Sequence, residues 1–151
     1  ADCPFFIYNT PCYAEGIGDK LTPISLDLSG LRMVMIKPDC GVSTREAYGG
    51  IIRHPEVEGL IIRALADGKA LVDMRSLLVN DFEQTVFPLY PEIAKIKQRL
   101  LDAGAIYAAM SGSGATVFGV FENDAEGRTD AQLRLLHEEF ASMVILDNTL
   151  A

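Results

Sequence analysis

Met110-Ser111-Gly112-Ser113-Gly114-Ala115-Thr116 is a glycine-serine loop caught between the apolar runs 105–109 and 117–121. Glycine lets the backbone take positive φ and approach a ligand closely, and successive amides beside two hydroxyls can converge on phosphate oxygens. The same residues also make an ordinary hairpin turn between core strands. Composition leaves both readings open and excludes a third. No Lys-Ser or Lys-Thr pair follows the last glycine and no helical pattern begins there, so this is neither a Walker loop nor a dinucleotide fingerprint.

A sheet has to carry that loop. Strands are expected at about 105–110 and 116–121, and Leu31 to Lys37, mostly apolar and stopped by Pro38, reads as a buried strand. Ser43 with Glu46 has the form of a capping box, starting a helix through Ala47, Tyr48 and Ile51. Val57, Leu60, Ile61, Ala64 and Leu65 share one helical face over 57–67, and a second short helix covers 69–78. Asn80 with Glu83 forms another capping-box pattern ahead of Val86 and Leu89, and both residues are assigned to capping. From Pro91, the residues Ile93, Ile96, Leu100 and Leu101 line a helix that Gly104 ends. Thr129 with Gln132 opens a last helix through Leu133, Leu136 and Phe140, before a strand at Met143 to Leu146. Residues 4–8 and 12–15 have strand-like content around the turn Asn9-Thr10-Pro11. From residue 31 onward the order implies an α+β sandwich of ferredoxin-like type, a mostly antiparallel sheet covered by helices. That superfold hosts many chemistries and does not choose among them.

The 151 residues, 49% of them hydrophobic, suffice for one core of their own. With 13 Lys and Arg against 21 Asp and Glu, the net charge of −8 argues against nucleic acid and against an anionic membrane as partners. No 18-residue apolar window and no signal-peptide pattern occur, so the sequence reads as soluble and cytoplasmic. Cys3, Cys12 and Cys40 are odd in number and lack metal-ligand spacing, which fits reduced thiols. His54 and His137 stand alone and read as surface histidines. The chain opens without methionine and runs at once into Phe5-Phe6-Ile7, as a piece of a longer protein would.

Taken together, Ala1-Asp2-Cys3-Pro4-Phe5-Phe6, the run Ala14-Glu15-Gly16-Ile17-Gly18-Asp19-Lys20-Leu21-Thr22-Pro23, Asn80-Asp81-Phe82-Glu83 and the loop 110–116 resemble the GHMP small-molecule kinases. The likeness spreads over nearly the whole chain in the family's order, and it is to the C-terminal part of the branch that phosphorylates a cytidyl diphosphate substrate for non-mevalonate isoprenoid synthesis. It implies that 1–30 is a remnant of the N-terminal kinase domain with connecting strands, and that 31–151 is the C-terminal domain. By resemblance Asp2 takes the role of catalytic base toward the substrate hydroxyl in the intact enzyme; one residue from the chain end, it reads here as solvated and frayed. Gly112, Ser113 and Gly114 fall on the family motif beside the phosphate-transfer site. Tyr48 stands where that branch has an aromatic that stacks on cytosine, although its helical face would also suit core, and Thr44 could add a hydroxyl to the same pocket. The family implies ATP as donor, held mainly by residues not in this chain, with Mg2+. The nucleotide loop Pro-x-x-x-Gly-Leu-Gly-Ser-Ser and the family's N-terminal lysine do not occur here, so these residues alone are expected to turn over no ATP. A chain of this kind is also expected to self-associate through apolar area meant for its N-terminal partner. Two alternatives are a GHMP kinase of homoserine or mevalonate type, and a catalytically silent ferredoxin-like ligand-binding module.

Overall fold

A computed structural model describes residues 3–52, 60, 61, 64, 71–123 and 127–150. Asp2, His54, most of the helix expected at 57–67 and residues 69–70 lie outside the described residues; of the helix expected at 69–78, Leu71–Met74 is helical and a turn follows. The chain divides into two compact units, one of residues 1–27 and 54–78, the other of 28–53 and 79–151.

In the first unit α1 (Cys3–Tyr8) precedes a hairpin of β1 (Cys12–Glu15) and β2 (Lys20–Pro23). The expected strand at 4–8 is therefore a helix. Phe5-Phe6-Ile7 is a short unbroken apolar run, whose periodicity cannot separate strand from helix. The hairpin turn closes through the Gly18 amide donating to the Glu15 carbonyl at 3.1 Å and the Ile17 amide donating to Asp19 Oδ1 at 3.2 Å. A small cluster of Ala64 and Met74 with Ile24, Leu26, Ile61, Leu77 and Leu78 forms this unit's core, and α3 (Leu71–Met74) contributes to it.

The second unit holds a four-stranded sheet in the order β4-β5-β3-β6, made of β3 (Arg32–Lys37), β4 (Tyr107–Met110), β5 (Val117–Phe121) and β6 (Val144–Thr149). Every pairing is antiparallel, with Val34 of β3 opposite Gly119 on one side and Asp147 on the other. Because β5 lies between β3 and β4, the helices joining those two strands make a split βαβ crossover, the ferredoxin-like arrangement the sequence predicts. The crossover contains α2 (Thr44–Gly49), α4 (Glu83–Leu89) and α5 (Pro91–Asp102), and α6 (Arg128–Glu139) joins β5 to β6. The core is built from Val34 and Ile36 of β3, Val117 and Phe121 of β5, Val86 of α4, Ile93, Ile96 and Leu100 of α5, and Leu133 and Leu136 of α6.

Pro91 starts α5 at the position where a missing N–H costs nothing. Gly104, at φ +98, ends it: its amide donates to the Leu101 carbonyl at 2.9 Å while the Ala105 amide donates to that of Leu100 at 3.0 Å, so two otherwise orphaned carbonyls are satisfied. α6 starts at Arg128, capped by Gly127 two residues before Thr129, and the Thr129 hydroxyl donates instead to the Glu122 carbonyl at 3.1 Å. β6 runs three residues past the expected end at Leu146. Asp147 accounts for the extension, because Arg32 on the neighbouring strand grips it at both oxygens, at 2.6 and 2.7 Å. Asp130 of α6 also meets Arg32, and His137 Nε2 lies 3.2 Å from Asp147 Oδ2. The Arg32 guanidinium foremost, then His137, holds the Asp147 carboxyl below its usual range. No helix among the described residues is long and apolar enough to cross a membrane.

Candidate functional site

The Ser-Gly loop is the tip of the β4–β5 hairpin. The Ser111 amide donates to the Thr116 carbonyl at 2.8 Å and the Gly114 amide to the Ser111 carbonyl at 3.0 Å. Gly112 and Gly114 take φ of +54 and +95, and the Gly114–Ala115 peptide is cis. At Gly114 a Cβ would stand 2.8 Å from Met110 Sδ and 3.3 Å from Val42 Cγ2, so only glycine lets the loop pack against the chain entering α2. The Gly112 and Ser113 amides have no partner among the described residues. Free amides beside hydroxyls at a turn suit an anionic ligand.

The other side of the loop is held from the entry of α4. Asn80 Nδ2 donates to the Met110 carbonyl at 2.6 Å and to the Gly112 carbonyl at 2.8 Å, while Asn80 Oδ1 accepts the Phe82 amide at 3.0 Å. Glu83, only 8% exposed, accepts the Met110 amide at 2.8 Å on Oε1 and the Lys97 ammonium at 2.5 Å on Oε2. The expected capping box is thus corrected. Asn80 does bend the backbone into α4, but Glu83 turns away from it toward Met110. The physical reason is that β4 is an edge strand whose outward amide and carbonyl at Met110 have no further strand to pair with, and buried backbone groups require partners. Tyr107, on the same strand, has its phenol pushed up to about 12 by burial and then by the charge of Glu83.

Thr44 is the exposed first residue of α2, two residues after Val42. The Ser43 cap forms as predicted, its side chain accepting the Glu46 amide at 3.4 Å. Tyr48 is 64% exposed and Ala47 fills the core position beside it, so this ring is not core. It stands edge-to-face with Phe82, centroids 4.9 Å apart at 81°. Tyr48 and the loop at Gly112 are therefore both held by the one turn from Asn80 to Glu83, and Val42 ties the start of α2 to Gly114. Asp2 lies outside the described residues.

Sequence reading missed Phe82 and the outward turn of Glu83. The available signal was an aromatic and an acid on a segment already matching a family pattern, without any indication that their partners lie at 48 and 110. Among the described residues no three His, Cys, Asp or Glu side chains gather as a metal site requires. No described residue is assigned to the Mg2+ that the resemblance implies, and no step is derived through it.

The family description "GHMP kinases C terminal" matches residues 61–132. A 4-diphosphocytidyl-2-C-methyl-D-erythritol kinase of Bacteroides fragilis is 49% identical over 123 residues, covering 80% of this chain and 43% of that protein. The kinase of the same name from Bacteroides thetaiotaomicron is 48% identical over 122 residues, covering 81% and 43%. The chain thus spans under half the length of these curated relatives. A crystal structure of 4-(cytidine 5'-diphospho)-2C-methyl-D-erythritol kinase superposes with a TM-score of 0.70 at 27% identity, over all of this chain and 53% of that one. A homoserine kinase from Cytophaga hutchinsonii, at 19% identity and a TM-score of 0.61 over 87% of this chain and 45% of that one, shares the fold. In sequence and in fold, this chain belongs with the GHMP kinases, as their C-terminal part.

Proposed function

We propose that this chain is the acceptor-gripping part of a kinase that transfers the γ-phosphate of ATP to a hydroxyl of 4-diphosphocytidyl-2-C-methyl-D-erythritol in non-mevalonate isoprenoid synthesis. The observation that carries this reading is near-half identity, over four fifths of the chain, to kinases bearing that substrate's name. Tyr48 offers an exposed ring to cytosine, and Thr44 a hydroxyl to the same pocket. Gly112, Ser113 and Gly114 present amides and a hydroxyl to phosphate oxygens. Phosphoryl transfer needs little covalent chemistry from a protein, so positioning and charge stabilisation of this kind supply most of the acceleration. Asp2 is assigned the proton of the attacking hydroxyl. ATP, with its Mg2+, is assigned mainly to residues of the N-terminal domain, of which 1–30 would be the last portion and 31–151 the separate C-terminal domain. The reaction is placed in the cytoplasm.

The test extends the reading frame upstream and follows ADP release in a coupled assay. Turnover that depends on the cytidyl diphosphate acceptor, and not on homoserine or mevalonate, is expected. Turnover with homoserine or mevalonate alone moves the chain to another GHMP kinase, and none with any acceptor leaves a silent ligand-binding module. Residues 1–151 alone are expected to release no ADP, and acceptor-dependent release by them overturns the division of labour proposed here.

A further inference from the structure

We infer that the turn Asn80–Glu83 is a positioning bracket: it holds the ring of Tyr48 and the free amides of Gly112 and Ser113 in one frame, so that each end of the acceptor meets its own part of the site. The inference rests on the phosphotransfer reading above. Its basis is that one short segment holds both ends. Phe82 packs its ring against Tyr48 at 4.9 Å, and two residues earlier Asn80 holds the Gly112 and Met110 carbonyls at 2.8 and 2.6 Å. The Asn80 side-chain amide is planar, and its oxygen and both N–H groups are engaged at once: the oxygen accepts the Phe82 amide at 3.0 Å and the two N–H groups donate to the loop carbonyls. A rigid group bonded to both parts transmits the position of one to the other. Glu83 completes the bracket by anchoring the Met110 amide and, through Lys97, the turn itself to α5.

With both carbonyls facing Asn80, the neighbouring amides of Gly112 and Ser113 remain available to a ligand. Loss of the Asn80 grip then acts on the phosphate end, and loss of the Phe82 ring acts on the base end. Neither residue is given contact with the substrate; both are positioning residues, and their effects separate in the kinetics.

The experiment uses the intact gene product with 4-diphosphocytidyl-2-C-methyl-D-erythritol as acceptor. Asn80→Asp keeps the oxygen that bends the turn and replaces both donors with a carboxylate facing two carbonyls; kcat is expected to fall ~100-fold with acceptor KM changed less than ~3-fold. Phe82→Leu keeps apolar bulk and removes the ring; acceptor KM is expected to rise ~5-fold with kcat changed less than ~3-fold. Should Asn80→Asp fail to fold by near-UV circular dichroism, Asn80→Ser, whose shorter side chain has one donor and cannot serve both loop carbonyls, shows the same kcat loss without added charge. Variants that lose only folded fraction, with kcat and KM of the folded enzyme unchanged, or that shift both constants alike, overturn the bracket while the active parent upholds the phosphotransfer reading. A parent inactive toward every cytidine diphosphate acceptor removes that reading, and the bracket with it.

Discussion

Glu83 meets Met110 through a buried hydrogen bond, Oε1 accepting the amide at 2.8 Å, and this contact marks where β4 gives way to the Ser-Gly loop. The carboxylate stands where a fifth strand would otherwise satisfy the sheet edge, and Lys97 at 2.5 Å compensates its charge.

Removing that carboxylate leaves a buried amide and an ammonium without their acceptor. Glu83→Ala is expected to lower unfolding free energy by about 2–4 kcal/mol, and Glu83→Gln, which still accepts the Met110 amide, by about 1–2 kcal/mol. Urea denaturation at pH 7 measures both. Equal losses would show that the hydrogen bond to Met110 contributes nothing.

The two loop glycines differ in what surrounds them. At Gly114 a Cβ meets Met110 Sδ and Val42 Cγ2 at a φ of +95, and Gly114→Ala is expected to cost about 2–3 kcal/mol. Gly112, at φ +54, has nothing within 4 Å of its would-be Cβ, so Gly112→Ala should cost only the left-handed backbone penalty of about 1 kcal/mol. Thermal melting of the pair checks the order; a reversed order would place the loop's tight packing elsewhere.

Stability should fall in acid through Asp147. Its carboxyl is held below the ordinary 3.8, chiefly by Arg32, so the unfolded chain takes up protons before the folded one as pH drops. The stabilisation is complete above the ordinary carboxylate range and disappears as pH falls through the depressed folded value. Asp147→Asn is expected to lose about 1–2 kcal/mol at pH 7 and to flatten this part of the acid limb, as read from urea midpoints between pH 7 and pH 2. An acid limb as steep as that of the unsubstituted chain would count against the assignment.

Cys40 should react slowly. Burial first, and Glu92 next, push its thiol from 9.0 up to about 11. Since the thiolate is the nucleophile, iodoacetamide at pH 8 should modify it ~100-fold more slowly than an ordinary thiol, before any loss from restricted access. Peptide mass spectrometry over a time course reads the rate, and modification as fast as that of a free peptide thiol refutes it.

Association should rise with concentration. Phe6 and Ile7 of α1 are 74% and 85% exposed, apolar surface of the kind that favours association. Sedimentation equilibrium is expected to show species heavier than one chain, and a single monomeric species at high concentration overturns this.

Residues that act with their sequence neighbours were legible. The α5 face of Ile93, Ile96 and Leu100, its Pro91 start and its Gly104 stop are all local signals, and the structure bears them out, while Leu101, expected on the same face, is exposed. The hairpin strands and the buried strand at β3 followed from apolar runs bounded by turn residues. What stayed hidden depends on distant partners. Asn80 and Glu83 have capping-box spacing, yet Glu83 bonds 27 residues away, at Met110, because the edge of β4 has a need that no local pattern records. Tyr48 could not be separated from core by periodicity, because the neighbour that fills the core position, Ala47, differs from it by a single step around a short helix. Asp147 looks like a loop residue until Arg32 is placed on the adjacent strand.

Asn80 grips the loop by its carbonyl oxygens, and carbonyl oxygens are common to every residue type. Exchanging the hydroxyl-bearing side chains at Ser111 and Ser113 should therefore leave the hairpin tip in register. Chemistry at the tip is free to drift from one ligand to another while its placement stays inherited, so new acceptors can be sampled on this scaffold without rebuilding it.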